Sequence, residues 1–352
     1  MEFDPNPMDR RKFFGVGGAA MLLCTIGGQE VRADKPVNIE KLASGVAVPP
    51  KVAAANKNRS LARVEPVVGN RKEYWIQAEP TIWNIIPNNK NGVKRDQMMN
   101  QRIKKGKTKF QAYAYRPYSA DFAQPLGPAT VPGPLIDATV GDTVVVHFRN
   151  TCPVPVTMHP HGIFYANEMD GAYKGYYTDP GGFVQTNREF TYVWECHEGT
   201  QGTWIYHDHG PMDPIPLYKG LFGPMIIRDP DEPLPDKEFF VGFHSFLPPA
   251  TNLKYGFSCI NGRSYTGNTP TFSANLGDDV AWHVYALDDN FHTFHVHGHR
   301  WEENGTIIDN KTLGPGDSFR VRYIEENPGR WFYHCHVFSH LHDGMSGWYI
   351  VE

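Results

Sequence analysis

The chain repeats itself at long range, and the repeat limits its fold more than any other feature. The run Pro132-Gly133-Pro134-Leu135-Ile136-Asp137-Ala138-Thr139-Val140-Gly141-Asp142-Thr143-Val144-Val145-Val146 alternates and is rich in β-branched residues, as half-buried strands are. Thr269-Pro270-Thr271-Phe272-Ser273-Ala274-Asn275-Leu276-Gly277-Asp278-Asp279-Val280 follows the same plan 136 positions later, setting Gly277-Asp278 against Gly141-Asp142. The same offset lays His295-Val296-His297-Gly298 on His159-Pro160-His161-Gly162. An offset of 127 lays His334-Cys335-His336 on His207-Asp208-His209. Two copies of one domain are therefore expected. A period this long, with turn-punctuated strands inside each copy, predicts an all-β protein of two tandem Greek-key β-barrels or sandwiches, not a solenoid.

Length agrees, since 352 residues hold two domains of roughly 150 each and would crowd a third. The first domain is expected over 73–230 and the second over 231–352, divided near the proline-punctuated Asp229-Pro230-Asp231-Glu232-Pro233. Residues 34–72, rich in Ala, Pro, Lys and Val without periodicity, read as an arm or linker. Residues 1–33 read as an address. Arg10-Arg11-Lys12-Phe13-Phe14 precedes a short, weakly apolar run, Val31-Arg32-Ala33 offers a small-residue cleavage site, and the whole resembles a twin-arginine export signal, with Met8 as an alternative start. The run falls short of the ~20 apolar residues of a membrane span, so the expectation is an exported protein, periplasmic or extracellular, with no membrane span. A net charge of -4 offers nucleic acid no electrostatic footprint.

Histidine is the residue that needs explaining. Of the 16 present, most fall into short clusters. Side chains at i and i+2 of a strand project together while the residue between them projects away. Four such pairs, His159/His161, His207/His209, His295/His297 and His334/His336, supply eight imidazoles, two pairs from each copy. Imidazole suits copper, zinc, iron or nickel, so these pairs alone leave the metal open. Cys335 narrows the choice. It must face away from His334 and His336, and His292, an odd three positions before His295, turns to the same side as Cys335. His340 and Met345 follow five and ten residues after the cysteine, where a returning loop can bring a second imidazole and a distant thioether. Two His, one Cys and a weak axial Met make a blue-copper electron-transfer set.

His292-Thr293-Phe294-His295-Val296-His297-Gly298-His299 and His334-Cys335-His336-Val337-Phe338-Ser339-His340-Leu341-His342-Asp343-Gly344-Met345 resemble the signatures of the multicopper oxidases, nearest to the small, two-domain bacterial laccases. The resemblance implies tandem cupredoxin domains and four coppers per chain equivalent: one type 1, one type 2 and two type 3. By it, His292, Cys335, His340 and Met345 hold type 1 copper, and His159 and His295 hold type 2. His161, His207, His209, His297, His334 and His336 hold the type 3 pair. The first domain departs from the signature at every type 1 position. Asp208 stands for Cys335, Val156 for His292 and Asp213 for His340, with Tyr218 or Leu221 at the axial place, so the type 1 site is expected in the second domain alone.

The implied activity is one-electron oxidation of a phenolic or similar small reductant at type 1 copper, coupled to four-electron reduction of dioxygen to water at the trinuclear cluster. In such enzymes that cluster closes between subunits of a homotrimer, a head-to-tail contact that forms a ring. Tyr165, Asp170 and Asp309 match positions near the cluster, the two acids with a part in proton delivery. The plainer reading makes Tyr165 a packing residue and the acids turn residues that bind backbone amides. A copper nitrite reductase is the rival enzyme, and a non-catalytic copper carrier the rival from another class. Ten methionines with no Met-rich insertion argue against copper storage. Cys24 lies in the signal, and with Cys335 a ligand, Cys152, Cys196 and Cys259 allow at most one disulfide. Cys152 with Cys196 is the expected pair, the alternative for each being a buried thiol. His147, His197, His244, His283, His299 and His342 lack a partner pattern and are expected to be structural or solvent-facing, and Cys196-His197 to be structural.

Overall fold

The computed structural model describes residues 69–93, 103, 107–175 and 178–352, together with the backbone of two short strands, β1 (Leu23–Ile26) and β2 (Gln29–Arg32), which pair antiparallel. The rest of the expected signal and the arm up to residue 68 lie outside the described residues. The arm's last two residues, Arg71 and Lys72, already belong to the first long strand.

Each copy of the repeat folds into two sheets with the same wiring. The first domain places β4 (Lys109–Tyr118), β3 (Arg71–Asn84), β6 (Thr143–Asn150) and β8 (Arg188–Glu195) in that order, with β3 and β6 parallel and the outer pairs antiparallel. The second domain repeats the arrangement with β12 (Phe257–Ile260), β11 (Lys237–Phe246), β14 (Asp279–Ala286) and β19 (Ser318–Ile324). The companion sheet of the first domain runs β5 (Ile136–Thr139), β10 (Phe222–Arg228), β9 (Gly202–His207), β7 (His159–Pro160). That of the second runs β13 (Thr271–Ala274), β21 (Ser346–Val351), β20 (Gly329–Cys335), β15 (His292–Val296), β18 (Asn310–Leu313), with a hairpin of β16 (Trp301–Glu303) and β17 (Thr306–Ile308) beside it. This is the all-β, two-domain architecture expected from the repeat, with the cupredoxin-like sheets that the family resemblance implies.

The duplicated Gly-Asp turn does the same work twice. Gly141 and Gly277 adopt φ of +96° and +86°, values that glycine adopts without the penalty a Cβ brings. The following aspartate then accepts a backbone N–H across the turn, Thr139 to Asp142 Oδ2 at 2.9 Å and Asn275 to Asp278 Oδ2 at 2.8 Å. Strand β8 alternates in burial, as a sheet with one wet face should. Strand β14 is buried along nearly its whole length because the first domain covers its second face, where β9 packs on β14 and β19. Trp282 on β14 fills the middle of the second core, within ring contact of Phe239, Phe272, Phe294, Tyr333 and Tyr349. The first core continues into the second domain through Phe246, Leu253, Phe257 and Tyr285, so the two domains share apolar packing.

The structure corrects the expected disulfide. Cys152, Cys196, Cys259 and Cys335 are all free and buried. Strand register is the reason: β8 runs antiparallel to β6, so Cys196 exchanges backbone hydrogen bonds beside Asp142 at one end of β6, while Cys152 lies past Asn150 at the other. An eight-residue strand holds those ends roughly 25 Å apart, far beyond disulfide reach.

Glu238 on β11 ties the domains together through Arg228 of β10, at 2.9 and 3.0 Å. Burial raises its carboxyl, but hydrogen bonds from His283 and Arg228 outweigh that and bring it down to about 2. A carboxylate lowered on folding stabilises the fold above its ordinary value of 4.5, and that contribution fades as pH falls toward 2. Glu238→Gln is expected to be less stable than the parent at neutral pH and to lose less stability between pH 5 and 2, read from urea midpoints across that range. Identical pH slopes for the two proteins would refute the assignment.

Candidate metal centre

The two sheet registers bring the histidine pairs together. In the first domain β7 crosses β9 with His159 opposite His207, and in the second β15 crosses β20 with His295 opposite His334. The ligand atoms of His159, His161 and His207 lie within 4.8 Å of one another, as do those of His295, His297 and His334. His209 joins the first set, its ring 5.3 Å from His159, and His336 joins the second, 5.3 Å from His295.

Hydrogen bonds select which imidazole nitrogen faces the centre of each set, and they do so identically. His159 Nδ1 donates to the carbonyl of Asp170 and His295 Nδ1 to that of Asp309, both at 2.7 Å. His207 Nδ1 donates to the Asp208 carbonyl at 2.8 Å and His334 Nδ1 to the Cys335 carbonyl at 2.9 Å. With Nδ1 carrying the proton, Nε2 is left as a lone-pair donor, the form a metal binds. His161 and His207 bring their Nε2 atoms to 3.0 Å, and His297 and His334 do the same. Burial, with neighbouring imidazoles, lowers His161 to about 4, His207 to about 3 and His334 to about 4, so these rings are neutral at neutral pH. His207 and His334 thus each aim an Nε2 lone pair at a second Nε2 3.0 Å away, and a cation bound between the rings would take the place of the proton that one of them otherwise shares.

Cys335 leaves the same strand on its opposite face. Its Sγ lies 3.7 Å from His292 Nδ1 and 3.6 Å from His340 Nδ1, and Thr293 donates its backbone N–H to the sulfur at 3.4 Å. Met345 is fully buried, and its carbonyl accepts the Cys335 N–H at 3.1 Å. Burial raises the thiol, but His292 and His340 outweigh it and bring Cys335 down to about 6. The residues expected to form a blue-copper set are thus placed together, and a thiolate beside two imidazoles is a soft donor set that fits copper.

Asp288 went unnoticed in the sequence. Its carboxylate accepts the Nε2–H of His292 at 2.9 Å, and neither side chain is exposed. The only hint was an acid four positions before a ligand, a spacing too common to single out. His292 is pulled down by burial, yet Asp288 and Cys335 raise it to about 9.

The three residues singled out around the clusters are distributed unevenly. Asp170 touches His159 twice, by its carbonyl and by Oδ1 at 3.2 Å, and its Oδ2 pairs with Lys174 Nζ at 2.7 Å. Tyr165 is half-buried, hydrogen-bonded to Asp170, with its ring 6.2 Å from His159. Asp309 meets His295 through its carbonyl, while its exposed carboxylate accepts from Asn310 at 2.7 Å. Asp170→Asn is expected to weaken metal retention at the first histidine set by about tenfold, the lower range for an outer partner of a ligand, with the thiolate set unaffected. Equal retention against a chelator would leave Asp170 without a part in holding His159.

In the first domain Asp208 occupies the place of the cysteine with the same backbone partner. Thr157 donates its N–H to Asp208 Oδ1 at 2.7 Å, as Thr293 does to the sulfur. Val156 and Leu221 are buried, and Asp213 pairs with His209 at 3.3 Å, so no thiolate-imidazole set forms there. Of the unpaired histidines, His244, His283 and His299 are buried, the last bonded to Glu325 at 2.9 Å.

Comparison with known proteins agrees with this geometry. Two family models described as multicopper oxidase match residues 128–232 and 244–352. This chain is a member of the multicopper oxidase family, copper-binding oxidoreductases that use dioxygen. A probable nitrite reductase-hydroxylamine oxidoreductase fusion protein of Kuenenia stuttgartiensis is 34% identical over 242 residues, 63% of this chain and 28% of its own. Mouse hephaestin is 26% identical over 82% of this chain and 30% of its own. The chain therefore spans less than a third of the length of these curated relatives. Among solved structures, a blue copper oxidase from Nitrosomonas europaea superposes with a TM-score of 0.62 at 21% identity, covering 80% of this chain and 86% of that one.

Proposed function

We propose that the protein is a laccase-like oxidase that takes single electrons from a phenolic or similar small reductant and passes them to dioxygen. The observation that carries this reading is the tripeptide at the end of β20, which presents Cys335 to one donor set while His334 and His336 lie by the rings of another. His292, Cys335, His340 and Met345 would hold type 1 copper, His159 and His295 type 2, and His161, His207, His209, His297, His334 and His336 the type 3 pair. Bound copper, four ions per chain equivalent, would supply one-electron chemistry at the thiolate and reduction of dioxygen to water among the histidines.

The chain's own groups do the rest. Cys335 is joined by peptide bonds to His334 and His336, a covalent path between the two donor sets. Lys174 and Tyr165 hold the Asp170 carboxylate beside His159, where it can pass protons inward, and Asp309 stands at the matching place against His295.

Among the described residues the two histidine sets of one chain share no ring contact and no hydrogen bond, and each needs a partner set. A homotrimer in which the first domain of one chain meets the second domain of the next satisfies both, since a head-to-tail contact can close into a ring. Exposed Phe338, with its ring 5.7 Å from that of His336, and exposed Phe164, three residues after His161, support burial of both rims in such a contact. Export through the twin-arginine-like segment completes the reading. Among the described residues no helix is long and apolar enough to cross a membrane.

The test is to load the purified protein with copper, record its visible and near-ultraviolet absorption, and measure oxygen uptake with a phenolic dye. A blue protein that consumes oxygen is expected. A fully loaded protein that reduces nitrite and never consumes oxygen would establish the nitrite reductase alternative, and one that does neither would be a copper-binding carrier.

A further inference from the structure

Six polar side chains cross the seam between the domains in one connected run. Arg228 on β10 grips Asp137 on β5 with two hydrogen bonds of 2.8 Å and reaches across to Glu238 on β11. Glu238 Oε1 accepts from His283 Nε2 on β14 at 3.1 Å. An ionised carboxylate only accepts, so His283 carries its proton on Nε2, and its Nδ1 accepts from the Thr203 hydroxyl of β9 at 2.6 Å. The Thr203 carbonyl in turn accepts from the Ser318 hydroxyl of β19. The His283 side chain has no exposure and stacks on Phe240 at 4.6 Å and 13°. None of these six residues belongs to a metal-binding set.

The run touches the candidate metal centre at two points. Thr203 lies four positions before His207 on the same strand, so both side chains project from one face. Ser318 follows the turn that contains Gly316, and a Cβ on Gly316 would stand 3.7 Å from His161 Cε1. The second domain thus forms a wall of the first domain's histidine set within one chain.

We propose that His283, acting through Thr203, is a positioning residue: it registers the Gly316 turn against His161 and fixes the angle between the domains at which histidine sets of neighbouring chains meet. This rests on the reading above, in which two sets are pooled between copies. The angle matters because a ring closes only if every contact repeats the same rotation. Misplacement by 1 Å of groups that must act together can cost about 10²-fold in rate. Apolar packing across the seam holds the domains together but is non-directional, whereas the hydrogen bonds of one imidazole to both sides fix orientation.

His283→Phe keeps the ring and its stack on Phe240 while removing both hydrogen bonds, and Thr203→Val removes one hydroxyl at nearly constant shape. His283→Gln has an amide that can still donate to Glu238 and accept from Thr203. Copper-loaded parent and variants are compared by sedimentation mass, visible thiolate absorption and the near-ultraviolet band of paired coppers. The expected result for His283→Phe is a full visible band with a several-fold loss of trimer and of the paired-copper band. A smaller loss is expected for Thr203→Val and partial recovery for His283→Gln. Should His283→Phe fail to fold, Thr203→Val decides. The proposal is overturned if the variants match the parent in mass and in both bands, or if the visible band falls in step with the others. A parent protein that is monomeric and never shows the paired-copper band overturns the pooled-site reading and the latch with it.

Discussion

Copper-loaded Cys335→Ser is expected to lose its visible absorption entirely and to take up no more oxygen than metal-free protein, while keeping its fold and its copper-loaded histidines. The reason lies in the donor. His292 and His340 bring the thiol of Cys335 down to about 6, so a thiolate is present at neutral pH, whereas a serine hydroxyl in the same place stays protonated and hard. The exchange also puts a smaller atom, on a shorter bond, where sulfur reached His292, His340 and the Thr293 N–H, and the poorly met buried hydroxyl costs about 1–3 kcal/mol, which a denaturant midpoint would register without unfolding the protein. Paired-copper absorption should survive because His334 and His336 face the other way. Oxygen uptake that persists in the serine protein would mean that electrons enter elsewhere.

Asp288→Ala is expected to have the next largest effect. Its carboxylate holds the remote nitrogen of His292 at 2.9 Å in a place that water does not reach. That bond fixes the imidazole with Nδ1 toward the sulfur and enriches the nitrogen that would bind metal. Outer partners of this kind are worth about 10- to 100-fold in metal affinity or activity. The variant should yield type 1 copper to a chelator at correspondingly lower concentration, while the histidine sets keep theirs. Equal retention of the thiolate-bound metal in parent and variant would show that the loop around Asp288 orients His292 without it.

Much of the centre was legible because strands impose a period of two. Alternation alone separates Cys335 from His334 and His336, and an odd offset puts His292 on the cysteine's side, where the structure has it. The repeat also runs through wiring that the motifs alone did not name: the parallel pairing of β3 with β6 and of β11 with β14, and the facing of His159 with His207 and of His295 with His334, recur in both copies beside the two Gly-Asp turns. What escaped depends on register and on loops. Cys152 and Cys196 look like neighbours until β6 and β8 are aligned, after which they lie at opposite ends. Cys196 proves to be the counterpart of Glu325, each donating its backbone N–H to the aspartate carbonyl and accepting from the glycine N–H of its own Gly-Asp turn. Asp288 reaches His292 from the loop after β14, and no periodicity reports on loops. His283 passed as an ordinary leftover because its partner Thr203 lies in the other domain, 80 positions away.

The Thr157 N–H that serves Asp208 has a further meaning. The first domain keeps the mould of an electron port with the conductor taken out, for a carboxylate fills the socket and the same amide plugs into it. Burial and the nearby Asp213 push that carboxyl well above its ordinary range, and the buried Val156 and Leu221 stand where imidazole and thioether donors would be needed to hold a cation. On the proposed reading traffic is thereby made one-way: among the described residues there is a single thiolate inlet, and every electron would cross the same tripeptide.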